Sequence, residues 1–210
     1  MTDTLLEIKD LKVHFPIRSN QLFGGVTKYV KAVDGVSFHI EKGETLGLVG
    51  ESGSGKTTVG RSILRAIEPT DGKVTFNVDD ESFDLSQLTD KEMRVFRKHM
   101  QLIFQDPYSS LNPRMTVRDI IAEPLVAQNL ATGKEVDERV REAAGLCKLN
   151  LEYLRRFPHA FSGGQRQRIG IARALVSNPQ FIVCDESVSA LDVSIQAEIL
   201  NLLMDLQEKL

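Results

Sequence analysis

Residues 50–57 read Gly-Glu-Ser-Gly-Ser-Gly-Lys-Thr, which fits G-x-x-x-x-G-K-[ST] at every position. Glycines at 50, 53 and 55 let the backbone turn so that its N–H groups converge on an anion. A helix starting where the loop ends adds the partial positive charge of its N-terminus. Lys56 has the charge and reach for the β- and γ-phosphates of a nucleotide, and the Thr57 hydroxyl is a hard oxygen ligand for Mg²⁺. The expected nucleotide-binding set is Gly50, Glu51, Ser52, Gly53, Ser54, Gly55, Lys56, Thr57 and Thr58, with ATP and Mg²⁺ as ligands.

Two further segments carry chemistry. Phe181-Ile182-Val183-Cys184 is an apolar run that ends in Asp185-Glu186. Ligands of parallel α/β sheets gather at the carboxyl ends of strands, which predicts Asp185 near Mg²⁺ through a water and Glu186 polarising an attacking water. Ser162-Gly163-Gly164-Gln165 offers a hydroxyl and two unshielded glycine amides just ahead of a helical pattern. That makes a second anion site at a helix N-terminus. Read by itself, Ser-Gly-Gly-Gln is also the composition of a flexible linker; the helical pattern after it argues against that.

The elements that must hold these residues follow from periodicity. Rough alternation over Leu5–Phe15 and Ala32–Ile40 predicts strands, with a loop at 18–28 between them. Thr45–Val49 reads as a short buried strand feeding the glycine loop, followed by a helix over Thr57–Ala66. Strands are expected at Val74–Val78, Gln101–Phe104 and Phe181–Cys184, and an exposed acidic segment at Asp79–Asp84. Helices are expected over Thr89–Met100, twice within Val117–Cys147 with a break near Gly133, over Gly164–Ser177, and over Val193–Lys209. The last has apolar residues at Ile195, Ile199, Leu202, Leu203 and Leu206. The helix-rich block at about 115–160 interrupts the alternation of strands and helices, which argues for an α/β core with an inserted helical subdomain.

The bulk numbers suit one soluble globular domain of 210 residues, 41% hydrophobic and 26% charged. The net charge of −3 gives no pointer to nucleic acid, and no nucleic-acid partner is expected. No stretch reaches the 18 to 20 or so apolar residues of a membrane span, and the first ten residues lack the pattern of a signal peptide. Cys147 and Cys184 have no metal-ligand spacing, and both thiols are expected free in a reducing compartment. Cys184, inside an apolar run, is expected to be buried.

Phe161-Ser162-Gly163-Gly164-Gln165-Arg166-Gln167-Arg168 closely resembles the signature motif of ATP-binding cassette (ABC) ATPases, with Phe where the family more often has Leu. Ser189-Ala190-Leu191-Asp192 matches the family's D-loop, and Gln105 after an apolar strand matches its Q-loop. With the phosphate loop and the Asp185-Glu186 strand, five motifs occur in the family's order across the whole chain. The resemblance implies a P-loop NTPase fold of the ABC nucleotide-binding type, with an N-terminal antiparallel β-subdomain and an inserted α-helical subdomain. It implies Glu186 and Gln105 as catalytic residues, and Thr57, Gln105 and Asp185 as metal ligands. Ser162, Gly163, Gly164 and Gln165 would touch the ATP of a second cassette in a head-to-tail dimer. An adenine-stacking aromatic is expected upstream of the phosphate loop: Phe15 is favoured for its strand context, and Tyr29 is the alternative.

The stretch from Gln105 to Val117, together with Cys184–Gln196 and the early VKAVDGVSF, resembles the oligopeptide and dipeptide (peptide/nickel) importer subfamily, in particular the second of its two ATPases. This implies a subunit at the cytoplasmic face of the membrane that powers import of peptides or a related small solute. Its partners would be a paired ATPase, transmembrane permease subunits that face the loop after Gln105, and indirectly a solute-binding protein. The alternatives are a non-transport ABC ATPase and a nucleotide-binding fragment with little turnover. The family also carries a histidine on a strand after the D-loop. Here His14, His39, His99 and His159 all precede Asp192. The expectation is a C-terminally truncated cassette that lacks the last core strands and turns ATP over slowly.

Overall fold

The computed structural model describes residues 4–18, 26–186 and 191–210. Two compact units divide it, Met1–Met93 and Arg94–Leu210.

The first unit is built on an antiparallel sheet of β1 (Thr4–Arg18), β2 (Val26–Glu41), β3 (Asp71–Val78) and β4 (Glu81–Asp84), in the order β2-β1-β3-β4. Leu6 lies opposite Phe76 and Ile8 opposite Val74 across the β1–β3 ladder. All four side chains are buried, as are Leu11 and Val13 further along β1. Paired apolar side chains on one face are what hold such a sheet together. Helix α1 (Lys56–Ile63) adds Val59 and Ile63 to this core.

Two sequence expectations change in this unit. Most of Asp79–Asp84 is strand, Glu81–Asp84: Val78 pairs with Glu81, which leaves Asp79 and Asp80 as a two-residue hairpin loop. Both have positive φ, 52° and 63°, the geometry of a type I′ turn. Asp tolerates the left-handed region better than most residues, but Asp-Asp lacks the glycine that usually announces the turn. The second change is larger. Thr45–Val49 forms no strand, and Val49 is 93% exposed. An apolar run becomes a buried strand only where flanking strands take up its N–H and C=O groups, and neither sheet includes these residues.

The second unit holds a two-stranded parallel sheet of β5 (Met100–Ile103) and β6 (Phe181–Cys184), in register from Met100↔Phe181 to Ile103↔Cys184. Helix α2 (Asp90–Phe96) runs through the boundary between the units. Around the sheet are α3 (Val117–Ala127), α4 (Lys134–Leu146), α5 (Gly163–Leu175) and α6 (Val193–Lys209). Ile120, Ile121 and Leu125 of α3, Val140 of α4, Ile169 and Ile171 of α5, and Ile199 and Leu202 of α6 share one core. Thr116 caps α3 by accepting from the Asp119 N–H at 3.2 Å. Cys147 belongs to the core, where burial pushes its thiol up to about 12. Cys184 does not: it is exposed, against expectation. It ends β6, whose residues are only partly covered, so an apolar neighbourhood in sequence does not bury it. The helix-rich block around 115–160 is present as α3, α4 and two 3-10 turns, Leu151–Arg155 and Pro158–Ala160.

Candidate functional site

The loop at 50–57 ends in a forced turn. Gly53 and Gly55 have φ of 79° and 82°, and Gly55 is the N-cap of α1. A Cβ at Gly55 would overlap the carbonyl oxygen of Ala32. Ala32 is the extra residue of a β-bulge: Val13 faces Val33 and His14 faces Lys31, so β2 has one more residue than β1 there. Bulges re-aim a strand locally, and this one brings the Ala32 carbonyl against the loop. A Cβ at Gly50 would lie 2.7 Å from Ser54 Oγ. The Ser54 N–H donates to the Glu51 carbonyl at 3.2 Å. Lys56 folds back across the loop, and its Nζ donates to the carbonyls of Gly50 at 3.1 Å and Glu51 at 3.3 Å. One ammonium and the start of a helix thus converge on the same few backbone atoms.

Phe15 and Tyr29 are both exposed, 41% and 59%, but on opposite faces of the sheet. Phe15 faces Val30 and Tyr29 faces Pro16, and neighbouring cross-strand pairs alternate in side. On β1, Phe15 follows Val13 on one face. Val13 faces Val33, and Val33 Cγ2 is 3.8 Å from a Cβ position at Gly55. Phe15 therefore shares the face that carries the loop.

In the second unit, Gln105 and Glu186 are brought together from 81 residues apart: Gln105 Nε2 donates to Glu186 Oε2 at 2.8 Å. Asp185 is buried, and its N–H donates to the Ile103 carbonyl at 3.0 Å, extending the ladder by one residue. Glu186 then turns left-handed, with φ of 46°. Such a conformation costs a non-glycine residue about 1–3 kcal/mol and clusters at functional sites. Here it directs the Glu186 carboxylate to Gln105 rather than onward along the strand.

The segment after Gln105 is fixed by its own side chains. The Asp106 carboxylate accepts from the N–H of Tyr108 at 2.7 Å and of Ser109 at 3.2 Å. The Tyr108 bond, with help from Ser109, holds the Asp106 carboxyl below its ordinary value. Helix α5 grips the same segment. Arg173 donates to the Ser110 carbonyl at 2.8 Å and lies over the Phe104 ring. Burial pulls the Arg173 guanidinium below its ordinary value. Arg166 lies over the Tyr108 ring, 4.2 Å from its centroid. Arg173 was not singled out from sequence, and Arg166 entered only as part of the signature stretch. No periodicity links positions about sixty residues apart, so their contacts left no signal to be read.

Ser162 is the N-cap of α5 and forms a full capping box with Gln165. The Ser162 N–H donates to Gln165 Oε1 at 3.1 Å, and the Gln165 N–H donates to Ser162 Oγ at 3.4 Å. The helix begins at Gly163, which excludes a flexible linker. A Cβ at Gly164 would lie 2.7 Å from Ile195 Cγ2, and one at Gly163 would lie 3.2 Å from Leu191 Cδ2. Packing against α6 therefore requires the small residue at 164. Asp192 is the N-cap of α6, and its carbonyl accepts from the Gln196 N–H at 2.9 Å. The Leu191 carbonyl accepts from Gln196 Nε2 at 2.8 Å. Ser189 and Ala190, the other two D-loop residues, lie outside the described residues.

The family model for ABC transporters matches residues 33–189. The chain belongs to the ABC transporter family. This ABC cassette is similar to two oligopeptide transport ATP-binding proteins of Bacillus subtilis. It is 52% identical to AppF over 99% of its length, and 56% identical to OppF over 100%. The alignments cover 62% and 65% of those two proteins, so the cassette spans a little under two thirds of its curated relatives. Among solved structures, the dimeric post-hydrolysis state of the ATP-binding cassette MJ0796 bound to ADP and Pi matches 98% of this chain and 84% of its own. The TM-score is 0.81 and the identity 28%. CbiO1 from Clostridium perfringens, part of the ABC transporter complex cbiONQ, matches with a TM-score of 0.79 at 26% identity, over 100% of this chain and 76% of its own. The fold is thus the mixed α/β ABC cassette that the motifs implied, with its N-terminal antiparallel sheet.

Proposed function

We propose that this cassette binds MgATP at the loop 50–57 and hydrolyses it, and that the hydrolysis powers import of peptides or a related small solute across a membrane. The observation that carries the reading is the loop itself: a left-handed glycine turn forced against Ala32, with Lys56 folded onto its carbonyls at the start of a helix. Lys56 exchanges its two carbonyl acceptors for the β- and γ-phosphate oxygens, a stronger charge-assisted contact. Gly50, Glu51, Ser52, Gly53, Ser54, Gly55, Thr57 and Thr58 complete the phosphate site. Phe15, on the loop's side of the sheet, stacks on adenine.

The donor set suits Mg²⁺. Thr57, Asp185 and Gln105 offer hard oxygens, and no cluster of three or more His, Cys, Asp or Glu side chains occurs among the described residues. Mg²⁺ is ordinarily held by one or two carboxylates together with substrate phosphates and waters. When bound, it neutralises charge on the phosphates. Glu186 orients and polarises the attacking water, and the amide of Gln105 holds the Glu186 carboxylate in place. Ser162, Gly163, Gly164 and Gln165, with the D-loop Ser189–Asp192, serve the ATP of a second cassette in a head-to-tail dimer. The dimeric state named for MJ0796 supports pairing with a second cassette. The similarity to oligopeptide transport ATP-binding proteins supports peptides as cargo. No helix among the described residues is long and apolar enough to cross a membrane. The similarity to transport ATP-binding proteins supports placing the subunit on the cytoplasmic face, docked on transmembrane permease subunits that receive cargo from a solute-binding protein.

Equilibrium binding of MgATP tests the site. Lys56→Ala should weaken binding by about ten- to a hundredfold, the worth of a hydrogen bond to a charged group. Phe15→Ala should weaken it and Tyr29→Ala should not. Wild-type affinity in Lys56→Ala would overturn the reading.

A further inference from the structure

We propose that Tyr108 and Arg166 form a latch through which the contact of Gln105 with Glu186 sets the orientation of the first turn of α5. The proposal rests on the functional reading above, in which that turn serves a partner's nucleotide. It assigns a positioning role to Tyr108, in the segment after Gln105, and to Arg166, which follows Ser162–Gln165 in the signature stretch.

Arg166 touches both sides of the joint. Its Nε donates to the Phe161 carbonyl at 3.0 Å, and a terminal nitrogen donates to the His159 carbonyl at 3.5 Å. Those carbonyls belong to the segment that leads into Ser162, the N-cap. The face of the guanidinium is covered by the Tyr108 ring. The same ring lies over Gly163: a Cβ there would be 3.4 Å from the Tyr108 hydroxyl and 3.8 Å from the ring edge. Tyr108 thus rests on the first residue of α5 and on the arginine that braces the residues before it.

At its other end the ring is tied to the catalytic pair. The Tyr108 N–H is held by the Asp106 carboxylate, and Asp106 adjoins Gln105, whose amide holds Glu186. A movement of Gln105 away from Glu186 carries Asp106 with it and shifts the ring. Further along, Arg173 of α5 itself holds the Ser110 carbonyl. Ser110 thus stays with α5, and residues 105–108 are the span across which Gln105 can shift relative to that helix. Tyr108 is 57% exposed, so core packing does not explain the contact. A cation–π contact at an exposed site shifts an equilibrium about two- to fivefold. That is strong enough to bias an orientation and weak enough to be released during a cycle.

The test is amide hydrogen exchange of the full chain at Gly164–Gln167, with core amides of α3 as internal reference. Tyr108→Leu should raise exchange at the first turn of α5 about two- to fivefold and leave α3 unchanged. Tyr108→Phe, which keeps the ring, should restore wild-type rates. Arg166→Gln, which also removes the bonds to the Phe161 and His159 carbonyls, should raise exchange at least as far, and adding Tyr108→Leu to it should go no further. Unchanged exchange in Tyr108→Leu, or Tyr108→Phe behaving like Tyr108→Leu, would overturn the latch. A second readout is steady-state ATP turnover, where Tyr108→Leu should lower kcat about two- to fivefold at constant KM; a raised KM at constant kcat would contradict a positioning role. Should the wild type show no turnover, the functional reading fails, and the exchange data still decide the latch.

Discussion

Gly53 and Gly55 separate two costs that usually arrive together. Both have φ near 80°, so alanine at either position pays about 1–2 kcal/mol for the left-handed conformation. Their surroundings differ. A Cβ at Gly53 would meet nothing within 4 Å, whereas one at Gly55 would overlap the Ala32 carbonyl. That oxygen belongs to backbone in a paired sheet and cannot swing aside as a side chain could. Displacing well-packed structure costs about 1–3 kcal/mol more. Gly55→Ala should therefore destabilise the first unit by about 2–5 kcal/mol, against about 1–2 for Gly53→Ala. Urea unfolding followed by far-UV circular dichroism measures both, since the chain has no tryptophan to report. Gly43→Ala, with φ of 76° and open space around the Cβ, is a control in an unrelated turn and should resemble Gly53→Ala. If Gly55→Ala and Gly53→Ala lose equal stability, the contact between loop and bulge is not what fixes the turn.

Other outcomes follow from the second unit. Gly164→Ala should destabilise α5 against α6, and Ile195→Ala should recover part of the loss, because it removes the Cγ2 that lies 2.7 Å from the added Cβ; an unchanged denaturation midpoint in Gly164→Ala would argue against that packing. Thiol titration at pH 8 should find one reactive cysteine in the native chain and two after denaturation, because Cys147 is buried with its thiol pushed up to about 12 while Cys184 is exposed. The hydroxyl of Thr116, then Arg118, hold the Asp119 carboxyl below its ordinary value. A depressed carboxyl stabilises the fold above its unfolded value of 3.8, and the stabilisation is lost as pH falls through the lower folded value. The stability gap between wild type and Thr116→Val should therefore narrow as pH falls from 7 to below that range, and leave only the part due to capping of α3.

What was legible in the sequence was what depends on local pattern. Helix α6 was read at its observed bounds because Ile199, Leu202 and Leu206 recur at helical spacing and all are buried. The loop 50–57 was legible because its glycines have a geometric job that few other residues can do. Resemblance to a family named Gln105 and Glu186 as catalytic residues, but their contact was not legible, since 81 residues separate them. What escaped depends on neighbours distant in sequence. Thr45–Val49 and Cys184 look like core in composition, but burial needs partners, and composition does not say whether partners come. The Asp79-Asp80 turn was hidden because two aspartates adopt a conformation that glycine would have advertised. The Ala32 bulge and the Tyr108–Arg166 contact arise from register and packing between elements, and neither leaves a trace in spacing.

Phosphate release from MgATP, compared between wild type and Glu186→Gln, tests the central claim most directly. A carboxylate that polarises the attacking water contributes about 10²–10⁴-fold to rate. Glu186→Gln should therefore lose about 100-fold or more in turnover and keep MgATP affinity, while Lys56→Ala loses both. Turnover in Glu186→Gln equal to wild type, or no phosphate release by the wild type, would contradict the account.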